Sequence, residues 1–181
     1  MKISEFGDPV LRTVAKKVPI AEIKSERIQK LILDMTDFLS SKKHGVGLAA
    51  PQMGESLAVA IILIRPTPNR PEENKVKLTL INPEIITNFG QRKQMWEGCI
   101  SAGPINSSLF AKVPRYKKIK LKYHDEKGAK REKIFDGLLA QVIQHEVDHL
   151  NGRLFVDRVK DPKTYTTFKE YMRLVKAKSN S

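Results

Sequence analysis

Hydrophobic residues recur every three or four positions in three stretches of this chain, and that spacing predicts three helices. The first covers residues 24–42, and Ser25 at its start is a suitable N-cap because its hydroxyl can accept a backbone hydrogen bond. The second covers residues 137–150, where Asp136 could play the same part. The third covers residues 163–177. We therefore expect one helix near the N-terminus, one late in the chain and one at its C-terminal end.

Short apolar runs and alternating positions predict strands in the middle of the chain. The run at residues 57–64 is rich in β-branched residues and too short to cross a membrane, so it indicates a buried strand. We expect strands at residues 57–65, 76–82, 84–89, 117–125 and 130–135, after a short extended stretch at residues 9–18. Because the strands cluster between helices, the pattern favours an α+β fold. Antiparallel or mixed β-sheets would pack around a central helix, with an N-terminal and a C-terminal helix beside them.

The composition suits a single domain over residues 1–181, with 40% hydrophobic and 29% charged residues. No apolar run is long enough to cross a bilayer, and the N-terminus lacks the apolar region of a secretion signal, so we expect a cytoplasmic protein. The lone Cys99 cannot form an internal disulfide. The net charge of +13 would attract an anionic partner such as RNA. The basic residues are spread along the whole chain, however, which also fits a basic protein with no such partner.

The most informative motif is H-E-x-x-H, within the predicted helix at residues 137–150. His145 and His149 lie one helical turn apart, so both imidazoles face the same side and can bind one divalent metal ion. Glu146 is adjacent to the first histidine and can act as a general base on a water. Histidine pairs at this spacing also occur on solvated helices that bind nothing. The motif alone therefore does not establish a metal site, and other segments of the chain must supply further evidence.

A hydrolytic metal site needs a third protein ligand and one open position. No histidine follows His149 in the chain. Upstream, Cys99 lies in the sequence Glu97-Gly98-Cys99-Ile100-Ser101, and its thiolate would complete a site of two nitrogens and one sulfur. The alternative is that Cys99 is a small buried apolar residue, which is the usual role of a lone cysteine.

Three motifs occur in order along the chain: GVGLAAPQ at residues 45–52, EGCIS at residues 97–101 and QHEVDH at residues 144–149. Together they resemble the three signature motifs of the peptide deformylases, at family-like separations. Flanking residues 9–12 (PVLR) and 150–155 (LNGRLF) agree, and the similarity extends over roughly residues 5–160.

The resemblance implies that the chain removes the N-formyl group from the initiator methionine of nascent polypeptides and releases formate. It also implies a role for each matching residue. Cys99, His145 and His149 would bind the metal, and Glu146 would be the general base and acid. Gln52 and the backbone N–H of Ile100 would donate hydrogen bonds to the oxyanion. The peptide groove would be lined by Gly45, Val46, Gly47 and Gly98.

The methionine side chain needs an apolar pocket beside the metal. Leu138 and Val142 lie about two turns and one turn before His145, on the same helix face, and are candidates for that pocket, although core packing explains them as well. Glu97 has no evident catalytic task and could form an ion pair, with Arg153 as one possible partner. Asp148 could either hold a ligand histidine or balance charge along the helix.

The identity of the metal is open at this stage. Two imidazoles and one thiolate suit zinc, iron, cobalt and nickel alike. The motif spacing alone favours Zn²⁺, whereas the resemblance implies Fe²⁺ in cells, with Zn²⁺, Ni²⁺ or Co²⁺ able to substitute.

The segment after Cys99 departs from the family pattern because it is longer and contains no arginine before Arg115. Our hypothesis is that Leu109 and Phe110 form an apolar lip over the groove. Two alternatives therefore remain: the same machinery could act on another N-acyl or peptide substrate, or the chain could be a basic ribosome-binding protein without activity. The candidate contacts for rRNA are Lys160, Lys163, Lys169, Arg173, Lys176 and Lys178.

Overall fold

The fold is built on one antiparallel sheet with helices on both faces. The computed structural model describes residues 3–42, 44–66, 75–103 and 108–179. The helices are α1 (Glu26–Ser41), α2 (Gly137–Leu150) and α3 (Phe168–Ser179). The strands are β1 (Gly47–Ala49), β2 (Val59–Ile64), β3 (Val76–Gly98), β4 (Leu109–His124), β5 (Lys130–Asp136) and β6 (Thr166–Thr167). Strands β1 to β5 are neighbours in that order, β6 pairs with β4, and every pairing is antiparallel. The predicted α+β class is confirmed.

The predicted first helix and the predicted buried strand are both confirmed. Helix α1 begins after Ser25, whose hydroxyl accepts a hydrogen bond from the N–H of Ile28. Strand β2 is buried on both faces, because its odd-numbered residues pack towards α1 and its even-numbered residues towards α2. This arrangement explains why its sequence is an unbroken apolar run instead of an alternating one. The central strand thus joins the two halves of the core.

The strands predicted at residues 76–82 and 84–89 are parts of the single long strand β3. Between the two predicted segments the structure shows a bulge, with a register shift between Ile81 and Glu84. Asn82 takes a left-handed conformation with φ 51°, and its side-chain amide forms two hydrogen bonds with the backbone of Val18. These bonds attach the bulge to the N-terminal segment, and pairing of β3 with β4 resumes at Glu84. The hairpin predicted from β4 to β5 is present as expected.

Several other boundaries also differ from the prediction: β3 extends to Gly98 instead of residue 89, and β4 begins at Leu109 instead of residue 117. Residues expected to be extended near the N-terminus include a 3₁₀ turn, Pro9–Arg12, which the side chain of Asp8 caps. The last helix begins only at Phe168, because a 3₁₀ turn and then β6 precede it. Strand β6 pairs with residues 109–110 of β4, a long-range contact that helical spacing could not reveal.

Helix α2 carries the two histidines of the candidate metal site, and its two ends differ. Asp136 occupies the N-cap position, but its side chain makes no capping hydrogen bond, so the predicted cap is only positional. At the other end Gly152 adopts φ 66°, the left-handed conformation in which a glycine commonly ends a helix. The backbone of Arg12 passes so close that a Cβ at Gly152 would lie 2.6 Å from the Arg12 oxygen. The end of α2 is therefore held against the N-terminal segment.

Within the described ranges no helix combines the length and the apolar character needed to cross a membrane.

We expect Gly152→Ala to destabilise the protein more than Gly90→Ala does, as measured by urea unfolding. Both glycines have a similar positive φ, 66° and 68°, so each substitution should cost about 1–2 kcal/mol in backbone strain. Nothing lies within 4 Å of a Cβ built at Gly90, whereas Gly152 faces the Arg12 backbone. The clash should add a further 1–3 kcal/mol, roughly. Equal losses for the two variants would contradict the close packing of the helix end.

Candidate metal centre

Cys99, His145 and His149 come together between the end of β3 and helix α2. Their candidate ligand atoms all lie within 4.8 Å of one another, and the Cys99 sulfur is 3.3 Å from Nε2 of His149. Cys99 directly follows β3, while both histidines lie on α2, one turn apart with ring centroids at 4.9 Å. The predicted Cys-His-His site is thus confirmed as a cluster. Two imidazole nitrogens and one thiolate are a donor set that suits a divalent transition metal.

Glu97 positions the first of these histidines. Nδ1–H of His145 donates to Oε2 of Glu97 over 2.9 Å, which leaves Nε2 as the nitrogen available for a metal. Arg115 donates from Nε and from a terminal nitrogen to the two oxygens of Glu97, at 2.7 and 2.9 Å. Burial alone would raise the pKa of Glu97, but the hydrogen bonds from His145 and Arg115 outweigh it and lower that pKa to about 2. Glu97 is therefore a charged, fully bonded carboxylate.

The partner of Glu97 is Arg115 and not Arg153, so that part of the sequence interpretation is wrong. Arg153 is exposed and contributes its backbone N–H to the carbonyl of Asp148. The role left open for Asp148 is also clear: its carboxylate accepts hydrogen bonds from Arg115, at 2.6 Å, and from Arg158. Asp148 thus anchors the arginine that holds Glu97. In the sequence Arg115 is noted only as the first arginine after Cys99, and its pairing with Glu97 was missed because no local pattern indicates a partner 18 residues away.

The side chain of Glu146 is enclosed next to β1. Burial is the main reason that its pKa is raised to about 7. A Cβ built on Gly47 would lie 2.1 Å from Oε1 of Glu146, so only glycine at residue 47 leaves room for the carboxyl group. In the described part of the chain, Oε2 of Glu146 is buried without a hydrogen-bond partner. A carboxyl group with this pKa and one free oxygen can accept and return a proton near neutral pH.

Gln52 is held with its amide nitrogen directed at the cluster. Its Oε1 accepts from the N–H of Ala49 at 2.8 Å, which fixes the orientation of the amide. Its Nε2 donates to the hydroxyl of Ser101 at 3.1 Å and lies 3.5 Å from the Cys99 sulfur. Gln52 is 1% exposed, so its amide belongs to the interior beside the cluster and not to the surface. Ile100 begins a 3₁₀ turn, where the first N–H groups have no partner inside the turn.

The residues predicted to line a peptide groove lie on two sides of the cluster. Gly45, Val46 and Gly47 run into β1, an edge strand of the sheet, while Gly98 ends β3 beside Cys99. The side chain of Val142 lies next to Gly47, and Leu138 is half-buried against the core between the sheet and α2. Their assignment to substrate binding stays a prediction.

A family model described as polypeptide deformylase matches residues 1–165 of this chain. The chain belongs to the polypeptide deformylase family. Peptide deformylase 2 of Nostoc is 35% identical over 176 residues, which cover 97% of this chain and 94% of the relative. A peptide deformylase of Bartonella quintana is 37% identical and covers 95% of this chain and 91% of its own length.

A solved deformylase structure supports the same conclusion. The crystal structure of a class I type b peptide deformylase from Acinetobacter baumannii, with Met-Ala-Ser bound, matches with a TM-score of 0.80 at 33% identity. The match covers 88% of this chain and 98% of that one. The resemblance inferred from the three motifs is therefore confirmed. The chain is a metal-dependent hydrolase with peptide deformylase activity, and the interpretation as a protein without activity is set aside.

Replacing Glu97 with glutamine should weaken metal binding by this deformylase about 10–100-fold, because a neutral amide would hold the His145 ring less firmly. Competition with a chelator of known affinity measures the effect. Glu132→Gln is the matched control, since Glu132 forms an exposed pair with Lys120 within the β4–β5 hairpin. A Glu97→Gln variant that binds metal as tightly as the control would contradict the positioning role of Glu97.

Proposed function

We propose that this chain hydrolyses the formamide bond of N-formylmethionyl peptides, at the N-terminus of nascent polypeptides, and releases formate. The observation that carries the proposal is the meeting of Cys99, His145 and His149 with the buried carboxyl group of Glu146 beside an edge strand. The bound Met-Ala-Ser of the Acinetobacter structure supports it, because that tripeptide is what remains when a formyl-Met-Ala-Ser substrate loses its formyl group.

The donor set fits a divalent cation, and Cys99, His145 and His149 would hold it. A cation at this place would supply Lewis-acid chemistry, which acidifies water and polarises a carbonyl group. We propose Fe²⁺ as the cellular metal, as the family resemblance implies. Zn²⁺, Ni²⁺ or Co²⁺ would be able to substitute, because a borderline set of two nitrogens and one sulfur accepts all four metals. Glu97 and Arg115 keep His145 in the orientation and tautomer that such binding needs.

The protein's own groups would then manage the protons and the developing charge. Glu146 takes a proton from the attacking water and later returns it to the departing amine, and its pKa of about 7 suits both steps. Attack on the formyl carbon produces a negatively charged oxygen. The amide of Gln52 and the N–H of Ile100 donate hydrogen bonds to this oxygen, and both donors are fixed before the reaction begins.

The peptide would bind as an added strand. Strand β1 is at the edge of the sheet, so its outward backbone groups can pair with an extended peptide that passes Gly45, Val46 and Gly47. Gly98 would line the opposite side of the same groove. The methionine side chain would enter an apolar pocket formed in part by Val142, which lies beside Gly47, and by Leu138. Apolar walls favour methionine over polar residues at this place.

Three further proposals concern the domain organisation, the cellular compartment and a partner. The chain would act as one domain over residues 1–181 in the cytoplasm, where its lone cysteine would stay reduced. Its basic C-terminal part would contact rRNA. Lys160, Lys163, Lys169 and Lys176 are exposed in support of that contact, and Arg173 is exposed although it pairs with Glu170. The side chain of Lys178 lies outside the described residues.

Cosedimentation of the Glu146→Gln variant with ribosomes tests the contact separately from catalysis.

The first test is formate release from formyl-Met-Ala-Ser by protein purified without oxygen, with the bound metal counted. Glu146→Gln should lower the rate about 10²–10⁴-fold, because the amide cannot accept a proton, while the metal content stays the same. Glu55→Gln changes an exposed carboxylate and should leave the rate unchanged. Faster cleavage of acetyl or longer acyl analogues than of the formyl peptide would favour the alternative N-acyl substrate instead.

Gln52→Ala should lower kcat about 10²–10³-fold with a smaller change in KM, because it removes a donor whose bond strengthens as the oxyanion forms. Gln29→Ala is the matched control. The Gln29 amide bonds to the carbonyls of Ile23 and Glu126, so its loss affects the surface and not the cluster. Rates are compared on the same formyl peptide. An unchanged kcat in Gln52→Ala would exclude Gln52 as an oxyanion donor.

A further inference from the structure

Three aromatic side chains form a continuous bridge near the metal cluster. The ring of Phe168 lies 5.2 Å from the ring of His44 and 5.7 Å from the ring of Phe110, measured between centroids. We call His44, Phe168 and Phe110 the aromatic bridge. Tyr171 of α3 stacks on Phe110 at 4.6 Å with an interplanar angle of 12°, so it supports the bridge from behind.

The bridge is held in place by backbone pairing. Strand β6 pairs with the first residues of β4, with Leu109 opposite Thr167 and Phe110 opposite Thr166. The N–H of Phe168 then donates to the carbonyl of Ser108 at 3.2 Å. The start of α3 is thereby fixed on the part of the chain where the sequence departs from the family pattern. The longer segment after Cys99 thus supplies a docking edge for the C-terminal helix.

The bridge connects the two sides of the proposed peptide groove. At one side, a Cβ built on Gly98 would lie only 2.5–2.7 Å from atoms of the Phe110 ring, so this ring covers Gly98 directly. At the other side, His44 immediately precedes Gly45, Val46 and Gly47 in the chain. Phe168 lies between these two side chains and contacts both.

The same residues show which way a bound peptide must run. Glu146 lies against Gly47, so the formyl group belongs at this end of the edge. Beyond Gly47 in the chain direction, Leu48 and Ala49 are completely buried, and a peptide cannot extend there. It must run past Val46 towards His44, antiparallel to β1. At about 3.3 Å per residue, the second or third residue of the peptide reaches the bridge.

We propose that the aromatic bridge is a specificity subsite for the side chain of the second or third residue of the formylated peptide. This inference rests on the proposed function. Phe110 and Phe168 are half-buried rings at the groove, and they offer an apolar surface that a leucine or phenylalanine side chain can cover. Peptides with such residues should be cleaved about 3–10-fold more efficiently than peptides with alanine or serine there, as expected for one aromatic contact.

The test compares kcat/KM for formyl-Met-Ala-Ser, formyl-Met-Phe-Ser and formyl-Met-Ala-Phe with that for formyl-Met-amide, which is too short to reach the bridge. Phe168→Ala should abolish the preference for phenylalanine and leave formyl-Met-amide unaffected. Phe168→Leu, which keeps apolar volume, should retain part of the preference. Leu174→Ala is the control, because Leu174 is an exposed residue further along the same helix.

Two results would overturn the subsite. One is a phenylalanine preference that persists in Phe168→Ala. The other is an equal change for all four substrates in Phe168→Ala, including formyl-Met-amide, which would mean that the ring only supports the fold. Calorimetric binding of the product peptides Met-Ala-Ser and Met-Phe-Ser makes the same comparison without catalysis. A failure of the proposed hydrolysis, seen as no formate from any substrate, is therefore distinct from a failure of the subsite, seen as equal binding of the two products.

Discussion

The buried ion pair between Glu97 and Arg115 is the interaction on which the active centre depends. Both side chains are almost completely buried, at 4% and 3% exposure, so each charge would be costly to bury without the other. Oε2 of Glu97 accepts hydrogen bonds from both Arg115 and the ring of His145, and Arg115 extends the network to Asp148 on α2. Strand β3, strand β4 and helix α2 are therefore tied together at the point where the metal ligands meet. This network fixes the positions of Cys99, His145 and His149 relative to one another.

The network also explains why the ligands can come from distant parts of the chain. Cys99 directly follows the long strand β3, whereas both histidines lie on α2. The pairing of β3 with β4 brings Arg115 opposite Lys93, and the arginine side chain reaches back to Glu97, two residues before the cysteine. Because Glu97 also bonds to His145 of α2, this network holds the Cys99 thiol close to that helix. A hydrolytic site needs this rigidity, because misplaced ligands lose both metal affinity and rate.

Strand β1 and helix α2 border the site on one side, and helix α3 is an additional element beside it. Gly47 leaves room for Glu146, and the edge of β1 offers backbone groups for an extended peptide. The pairing of β6 with β4 adds α3 to this arrangement and brings Phe168 between His44 and Phe110. The longer segment after Cys99 departs from the family pattern in sequence, and in the structure its last residues pair with the strand that precedes α3. The hypothesis of an apolar lip at Leu109 and Phe110 is refined accordingly: Phe110 packs into the bridge, while Leu109 is 41% exposed.

The features that sequence alone determined are those that depend on nearby residues. Helical spacing located α1 and α2, alternation located the hairpin of β4 and β5, and the one-turn separation of His145 and His149 put them on one face. The motif around Cys99 identified the third ligand. Tertiary structure alone decided the partner of Glu97, 18 residues away in the chain, the merging of two strands at Asn82, and the late start of α3. Each of these depends on pairing between residues far apart in sequence, and local propensity carries no information about which distant partner a residue meets.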